Sequence, residues 1–423
     1  MINLDNTASA DTDRSRLVAC ALLLGVALVL GGRNGALNHL AVQIAALPLL
    51  YLLLRQGALR LDLAARFVAV AIGVAALQLV PLPPALWMAL PGGETAAQAL
   101  AAAGLEPGWR PLALDPMAAA LALLTVLAPL LLYIGAGSLG AAQRLRLLQA
   151  LALFAAASAV LGLVQRITGG ACVLDGGHCG TSTGLMINRN HHADLILAGM
   201  VLLPAVFPAG DNRLRALGLT FATAAMGFAV LATTSRMGLL LALPAALAAL
   251  ALTWKPDRRW LALAALGVVL AGLALWSLPA LAPVFDRLAG AGDDERLVIA
   301  GNTWAAAQHF WPWGSGYGSF IPVHAAFEDL DFLHDRRVVA AHNDYLQILL
   351  EGGLTGLLTL VGALAIFAHR GWRLWQDRAA PPAWAAWSVV GLLLVHSAAD
   401  FPLRMAALMA VFALCFASAK AEA

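Results

Sequence analysis

A short polar stretch stands out because it begins one of the apolar parts of the chain. It reads His342-Asn343-Asp344-Tyr345-Leu346-Gln347 and continues to Glu351. Asn343, Gln347 and Glu351 are spaced by four residues, so they lie on one helical face, and such a polar stripe is expected to face a cavity rather than lipid. His342 lies where the stripe meets water. An imidazole that titrates near neutrality suits a general base, and a capping or solvated histidine is the alternative.

Arginine at the mouth of a predicted helix bundle is a second unusual feature. Arg236 follows Thr233-Thr234-Ser235 in a very short turn between two apolar segments. A charged side chain there is costly unless it meets an anion, and the forked guanidinium suits a phosphate group. The alternative is an arginine that extends toward lipid headgroups.

A third polar stretch, Asn188-Arg189-Asn190-His191-His192, enters a further apolar segment. Paired histidines are common metal ligands, but adjacent helical positions point about 100° apart and chelate one ion poorly. We therefore predict no metal site here.

Two other motifs favour structural interpretations. Gly314-Ser315-Gly316-Tyr317-Gly318 resembles a nucleotide-binding loop, but no strand is predicted before it and no βαβ unit around it, so we predict a tight turn near the site. Asp400 and Arg404 flank the polar turn near the C-terminus, and we expect them to form a local ion pair.

The composition indicates which elements must position these residues. The chain has 423 residues, of which 61% are hydrophobic and 12% charged, and its mean hydropathy is +0.80. Soluble domains carry about 25% charged residues. The sequence therefore predicts an all-α, polytopic bundle of transmembrane helices. A net charge of +2 gives no electrostatic reason to expect nucleic-acid binding.

Apolar runs of roughly 20 residues can cross a bilayer, and the chain contains about twelve of them within one integral membrane domain, residues 1–423. The predicted spans are Leu17–Gly32, Ala36–Leu54, Leu63–Leu79, Met117–Leu139, Leu145–Gln165, His191–Phe207, Leu214–Thr233, Met237–Thr253, Trp260–Leu278, Tyr345–Ala368, Ala383–Val395 and Pro402–Ala417. Every second loop is short and basic, which places both termini in the cytoplasm.

Three longer segments then lie on the opposite side of the membrane: Pro81–Pro116, Arg166–Asn190 and Pro279–Asp344. The last, residues 279–344, is the largest outside loop. Long loops held by a scaffold often carry function.

Two features of these outside segments can be predicted further. Asp293-Asp294-Glu295 is expected to open a helix that runs to Ala307. Cys172 and Cys179 share the second segment, where they form either a disulfide in an oxidising compartment or two free thiols.

Together these motifs resemble the O-antigen ligase and polymerase superfamily of bacterial membrane glycosyltransferases. In chain order, the resemblance is carried by Asn188 to Ala193, Ser235-Arg236, Arg296 through Trp304 to Phe320, and His342 through Gly356. It extends over roughly residues 155–415, and the number of spans and the large outside loop also fit.

The resemblance implies an inner-membrane fold around a lateral cavity, with a periplasmic active site and no cofactor. It also implies a donor glycan on an undecaprenyl-type pyrophosphate, and an acceptor hydroxyl on lipid A-core, on another lipid-linked glycan or, in some relatives, on protein. The catalytic residues would be His342, Arg236 and Arg296. The substrate-binding residues would be Arg189, Asn190, Asn343 and Gln347.

The alternatives come from other functional classes. A transporter of a small anion such as bicarbonate should show inverted repeats or ionisable residues near the membrane midplane, whereas most of the unusual polar residues here cluster at one face. A structural scaffold for an envelope complex would leave the placement of His342 and Arg236 unexplained. Neither the sugar nor the acceptor can be read from the sequence.

Overall fold

The described part of the chain is built mainly from helices, with almost no strand, which confirms the predicted all-α polytopic fold. The computed structural model describes residues 4–33, 35–169, 182–254, 259, 292–328 and 337–421. Its helices are α1 (Leu4–Leu30), α2 (Ala36–Arg55), α3 (Leu63–Ala76), α4 (Pro84–Trp87), α5 (Gly93–Ala102), α6 (Pro116–Gly137), α7 (Ala141–Ile167), α8 (Arg189–Val206), α9 (Arg213–Thr233), α10 (Arg236–Trp254), α11 (Gly292–His309), α12 (Phe320–Phe327), α13 (Asp344–Gln376), α14 (Pro381–His396) and α15 (Ala406–Ser418).

Among the described residues, six helices are long and apolar enough to cross a membrane: α2, α6, α7, α9, α10 and α13. Helix α3 with the 3₁₀ turn that follows it, α14 and α15 are apolar but shorter. Helices cover eleven of the twelve predicted segments. The segment Trp260–Leu278 lies outside the described residues, as do Cys172 and Cys179, so the number of spans and the state of the two cysteines stay predictions.

Helix α8 is the central element of the bundle. Every residue from Asn190 to Val206 is buried, and α7, α9, α10 and α14 pack around the helix. Its start is fixed locally, because the Asn188 side chain accepts a hydrogen bond of 2.8 Å from the Asn190 amide. The polar residues of its first turns therefore meet other protein groups rather than lipid.

Helix α13 is broken one third of the way along. Gly353 adopts φ +56°, a conformation outside the helical range, and a Cβ at this position would lie 2.2 Å from the Pro312 carbonyl oxygen. Only glycine fits such a place. The break frees the Leu350 and Glu351 carbonyls, which accept hydrogen bonds of 3.0 Å from the amides of Ser315 and Gly316.

The glycine-rich motif therefore forms the predicted tight turn, and this turn docks into the broken helix. Gly314 and Gly316 have φ angles of +76° and +97°. Gly352 and Gly353 admit this loop, because a Cβ on Gly352 would lie 2.5 Å from the Tyr317 hydroxyl.

The described parts of the long segments form a cap at the end of the bundle where α8, α10 and α13 begin. The predicted helix after residue 292 is confirmed as α11, which buries Ile299 and Thr303 and packs on α12 and α13. Residues 81–116 add α4, α5 and a two-stranded antiparallel sheet, β1 (Pro81–Leu82) with β2 (Arg110–Pro111).

Candidate active site

His342 lies immediately before α13 and is held in an unusual backbone conformation, with φ +50°. The following residue, Asn343, caps α13, since its side chain accepts a hydrogen bond of 3.0 Å from the Leu346 amide. The His342 Nδ1 atom lies 3.2 Å from Oδ1 of Asp400, and the imidazole is 28% exposed whereas the carboxylate is fully buried. A non-glycine residue held at positive φ often marks a functional site.

Asp400 lies in the turn after α14 and receives hydrogen bonds from several elements. Its Oδ1 atom accepts from the Phe401 amide at 3.0 Å as well as from His342, and its Oδ2 atom accepts from the Asn190 side chain of α8. Burial raises the pKa of the Asp400 carboxyl, but the hydrogen bond from His342 and the charges of His191, His342 and His396 outweigh it and lower this pKa below its ordinary value. Asp400 is therefore an ionised hydrogen-bond acceptor.

An aromatic contact also restrains the histidine. The Phe401 ring lies between the imidazoles of His342 and His191, with centroid distances of 5.2 and 5.0 Å in edge-to-face arrangements. The neighbouring His192 faces the other way, with its ring nitrogens 3.3 Å and 3.1 Å from the carbonyl oxygens of Ser182 and Ser158. The two adjacent histidines thus point into different surroundings, and no group of three metal-ligating side chains occurs among the described residues.

Two of the predicted arginines lie where α8 and α10 begin. Arg189 Nη1 donates a hydrogen bond of 3.2 Å to the Thr234 hydroxyl. Thr234 has φ +54° and precedes Ser235, whose hydroxyl caps α10 by accepting from the Gly238 amide at 3.2 Å. Arg236 is the first residue of α10 and is half-buried. The structure therefore brings Arg189 and Arg236 to one corner of the site.

The third predicted arginine reaches the histidine side of the site. Arg296, on α11, donates from Nη1 to the carbonyl oxygen of Ala399 at 3.0 Å. Ala399 directly precedes Asp400, the partner of His342. Asn190, which donates to Asp400, follows Arg189 in the chain, so this residue links the two halves of the site.

The ends of three helices meet at these contacts. Arg189 joins the N-terminus of α8 to that of α10, and Asp400 joins α8 to the N-terminus of α13. A helix N-terminus carries a partial positive charge and favours anions. These termini, together with Arg189, Arg236 and Arg296, are groups that can bind a phosphate ligand beside a histidine.

The expected ion pair between Asp400 and Arg404 is wrong. Arg404 lies in a 3₁₀ turn, Pro402–Arg404, that faces α13, and it pairs with Asp344 and Glu351 at N–O distances of 3.3 and 3.1 Å. The turn separates the two side chains, because Asp400 faces α8 and His342. Of the polar stripe, Glu351 therefore pairs with Arg404 and does not face a cavity as predicted.

Gln347 is part of the same buried network. Its side chain accepts from the Ala341 amide at 3.0 Å and donates to Glu351 at 3.1 Å. Both ends of the amide are thus engaged by protein, and the contact to Ala341 holds the segment that carries His342. Of the predicted substrate-binding residues, Arg189 and Asn190 lie at the site, whereas Asn343 caps a helix and Gln347 supports the loop.

An apolar groove runs along the bundle below the site. Helices α3, α6, α13 and α15 enclose a cavity of about 370 Å³, lined by residues such as Phe67, Val126, Ile366 and Phe412. At one end it reaches Tyr317 and Leu403, and the Leu403 amide donates to Asp344 at 3.2 Å. The groove therefore approaches the polar network beneath the site.

The chain matches the family described as O-antigen ligase over residues 221–361, about one third of its length. The matched region contains Arg236, Arg296 and His342 and begins after Arg189. The match confirms the resemblance to the O-antigen ligase and polymerase superfamily and supports a membrane-bound glycosyltransferase of the ligase or polymerase type. Members of this family act on lipid-linked glycans and lipid A-core. No curated protein and no solved structure matches the chain.

Proposed function

We propose that the protein transfers a glycan from an undecaprenyl-pyrophosphate carrier to an acceptor hydroxyl at the periplasmic face of the bacterial inner membrane. It would act as an O-antigen ligase or as a surface or exopolysaccharide polymerase. The observation that carries the proposal is the His342–Asp400 pair beside three arginines and three helix N-termini. One arrangement thus offers a base for a hydroxyl and a positive field for a pyrophosphate.

In the proposed reaction, His342 is the general base. Its Nδ1–H donates to the Asp400 carboxylate, so Nε2 carries the lone pair that removes the proton from the acceptor hydroxyl. The acceptor oxygen forms a bond to the anomeric carbon while the bond from that carbon to the pyrophosphate oxygen breaks. The proton stays on the imidazole, the electron pair leaves with the pyrophosphate, and a single displacement inverts the anomeric centre.

The arginines would stabilise the charge that grows on the leaving group. Arg189 and Arg236 form one corner and Arg296 lies on the histidine side, so the pyrophosphate would lie between them. Donors fixed before the reaction stabilise developing charge without reorganisation. Because guanidinium groups can supply this charge, the proposal requires no metal ion.

Gln347 and Asn343 would act on the reaction indirectly. Asn343 fixes the start of α13, and Gln347 holds the backbone at Ala341, on either side of His342. We therefore assign them to positioning of the base. The apolar groove beneath the site would accommodate part of a lipid chain, since it ends at Tyr317 and Leu403.

The proposed orientation rests on the basic loops. Arg213 and Arg215 lie in the first turn of α9, and Arg370 and Arg373 lie near the end of α13, away from the end where α8, α10 and α13 begin. The positive-inside rule places these arginines in the cytoplasm. The site, within one integral membrane domain whose large periplasmic loop is the segment 279–344, would then face the periplasm, and both termini would be cytoplasmic.

Gene deletion followed by complementation tests this function. The deletion strain would receive the wild type, His342→Ala, Arg236→Ala or His192→Ala, the last as a control that removes a buried histidine facing away from the site. We expect the wild type and the control to restore the glycan. If the deletion strain accumulates carriers that bear a single repeat unit, the protein is a polymerase. If it accumulates long carrier-linked chains together with bare lipid A-core, the protein is a ligase. If the deletion left both the surface glycan and the pool of carrier-linked intermediates unchanged, glycan transfer would be refuted and the transporter hypothesis favoured.

A further inference from the structure

A second buried pair lies one helical turn below the Asn190–Asp400 contact. Asp194 of α8 and His396, the last residue of α14, are hydrogen-bonded, and each side chain is 1% exposed. Asn190 and Asp194 are separated by four residues, so they occupy the same face of α8. That face therefore holds the segment 396–400 by two side-chain contacts.

Backbone hydrogen bonds within the segment 396–400 form a turn. The His396 carbonyl oxygen accepts hydrogen bonds from the amides of Ala399 and Asp400, at 2.9 and 3.0 Å. His396 thus fixes the turn through its backbone while its side chain is held by Asp194. The opposite end of the turn is held through the Asp400 carboxylate, which contacts Asn190 and His342.

A buried ionisable pair is a costly way to hold two helices together. Removing both groups from water is expensive, and apolar residues of similar volume often stabilise a protein as well or better. A hydrogen-bonded pair, however, fixes direction and distance, which apolar contacts do not. Asp400 and Arg296 also interact electrostatically with this pair. Because both residues lie at the site, the Asp194–His396 pair is connected to it.

We propose that Asp194 and His396 are positioning residues that set the orientation of the His342 imidazole through Asp400. Of the two tests described below, only the kinetic one rests on the proposed function. Displacement of a catalytic group by about 1 Å can reduce a rate about 100-fold. The pair holds the turn that delivers the Asp400 carboxylate, so its loss should misalign His342 without altering donor binding.

The kinetic arm uses a paired apolar replacement, because removing one partner alone would leave a buried charge. In Asp194→Leu/His396→Phe, we expect kcat for glycan transfer to fall about 10- to 100-fold while the KM for the donor stays within about threefold. Asp194→Asn keeps an acceptor for His396 and should retain most of the activity. His192→Phe, on the same helix but facing Ser158 and Ser182, is the matched control and should behave as the wild type.

The structural arm does not depend on activity. In protein labelled with ¹⁵N-histidine and embedded in lipid nanodiscs, the Nδ1–H signal of His342 can be assigned by its loss in His342→Gln. We expect this signal to disappear or shift in the Leu/Phe double variant and to persist in Asp194→Asn and His192→Phe. An unchanged His342 signal in a folded double variant would overturn the inference, as would wild-type kcat. Absence of glycan transfer in the wild type would overturn the proposed function while this signal still tests the positioning.

Discussion

Replacement of Asp400 separates the contribution of its charge from that of its hydrogen bonds. In Asp400→Asn, the amide oxygen can still accept from His342 Nδ1 and the Phe401 amide, provided that the Asn190 side chain turns its own oxygen toward the new NH₂ group. The imidazole then keeps its orientation but loses the negative partner 3.2 Å away. In Asp400→Ala both the orientation and the charge are lost.

The magnitudes follow from these contacts. A hydrogen bond to a charged group contributes about 1.5–3 kcal/mol and a neutral one about 1 kcal/mol, so Asp400→Asn should reduce the stabilisation of the imidazolium by roughly 0.5–2 kcal/mol. This corresponds to about a 2- to 30-fold lower kcat. Asp400→Ala should approach the loss caused by His342→Ala, about 100- to 10,000-fold for a general base. The double variant Asp400→Ala/His342→Ala should be no slower than His342→Ala alone, because both changes disable one unit.

The assay measures initial transfer rates with purified protein in nanodiscs and a saturating polyprenyl-pyrophosphate-linked oligosaccharide, with His192→Ala as the control. The initial rate should be highest in the wild type, lower in Asp400→Asn, and lowest in Asp400→Ala and His342→Ala, which should have similar rates. Near-wild-type activity in Asp400→Ala would refute the role of Asp400 in orienting His342. A double variant much slower than either single variant would show that the two residues act independently.

Four further predictions concern the rest of the site. Glu351→Ala should lower the unfolding free energy by about 3 kcal/mol, since it leaves the half-buried Arg404 short of one of its partners, and a thermal melt in detergent would show no shift if the pair is unimportant. Gly353→Ala should yield little monodisperse protein by size-exclusion chromatography, because the alanine Cβ would lie 2.2 Å from the Pro312 carbonyl oxygen. A well-folded variant would contradict the described break in α13. Arg236→Lys keeps the charge but loses the planar fork, so we expect transfer to fall about tenfold, and full activity would argue against phosphate recognition. The pKa of Asp400 is lower in the folded than in the unfolded protein, so its stabilising effect is present above about pH 4 and is lost as the pH falls through the folded pKa. The melting-temperature gap between wild type and Asp400→Asn should therefore narrow as the pH falls below about pH 4, and a gap that does not narrow would contradict the lowered pKa.

The helices and the principal site residues could be predicted because they are anomalies in an apolar chain. Apolar runs of membrane-spanning length predict the long apolar helices that the structure describes, although α1 begins at Leu4 instead of Leu17 and α13 ends at Gln376 instead of Ala368. His342 and Arg236 stand out because charged or titratable groups at the mouth of a bundle are costly without a function. Arg296 came from the family resemblance, and the structure places its side chain on Ala399, beside Asp400.

The partner of His342 could not be predicted from the sequence. Asp400 is 58 residues away, and a nearby Arg404 offered a simpler local pair. Only the path of the chain decides between these partners: the 3₁₀ turn directs Arg404 toward Glu351 and leaves Asp400 on the α8 side. A sequence shows which groups need partners, but long-range pairing depends on how the helices pack.

The break in α13 escaped prediction for a related reason. Gly352-Gly353 is compatible with close helix packing as well as with a positive φ angle, and the sequence does not distinguish the two. The docking of the Gly314–Gly318 turn into freed carbonyls requires knowledge of a contact across about 35 residues. Gln347 illustrates the same limit. Its spacing predicted the correct helical face, but not that its side chain accepts a hydrogen bond from the Ala341 amide.

The most direct test of the central claim is to measure the release of polyprenyl pyrophosphate from a defined carrier-linked glycan by the purified protein, together with the anomeric configuration of the product. The account predicts release in step with glycan transfer, inversion at the anomeric carbon, and loss of both in His342→Gln but not in His192→Ala. Transfer with retained configuration, or release that continues undiminished in His342→Gln, would contradict direct attack by an acceptor hydroxyl activated by His342.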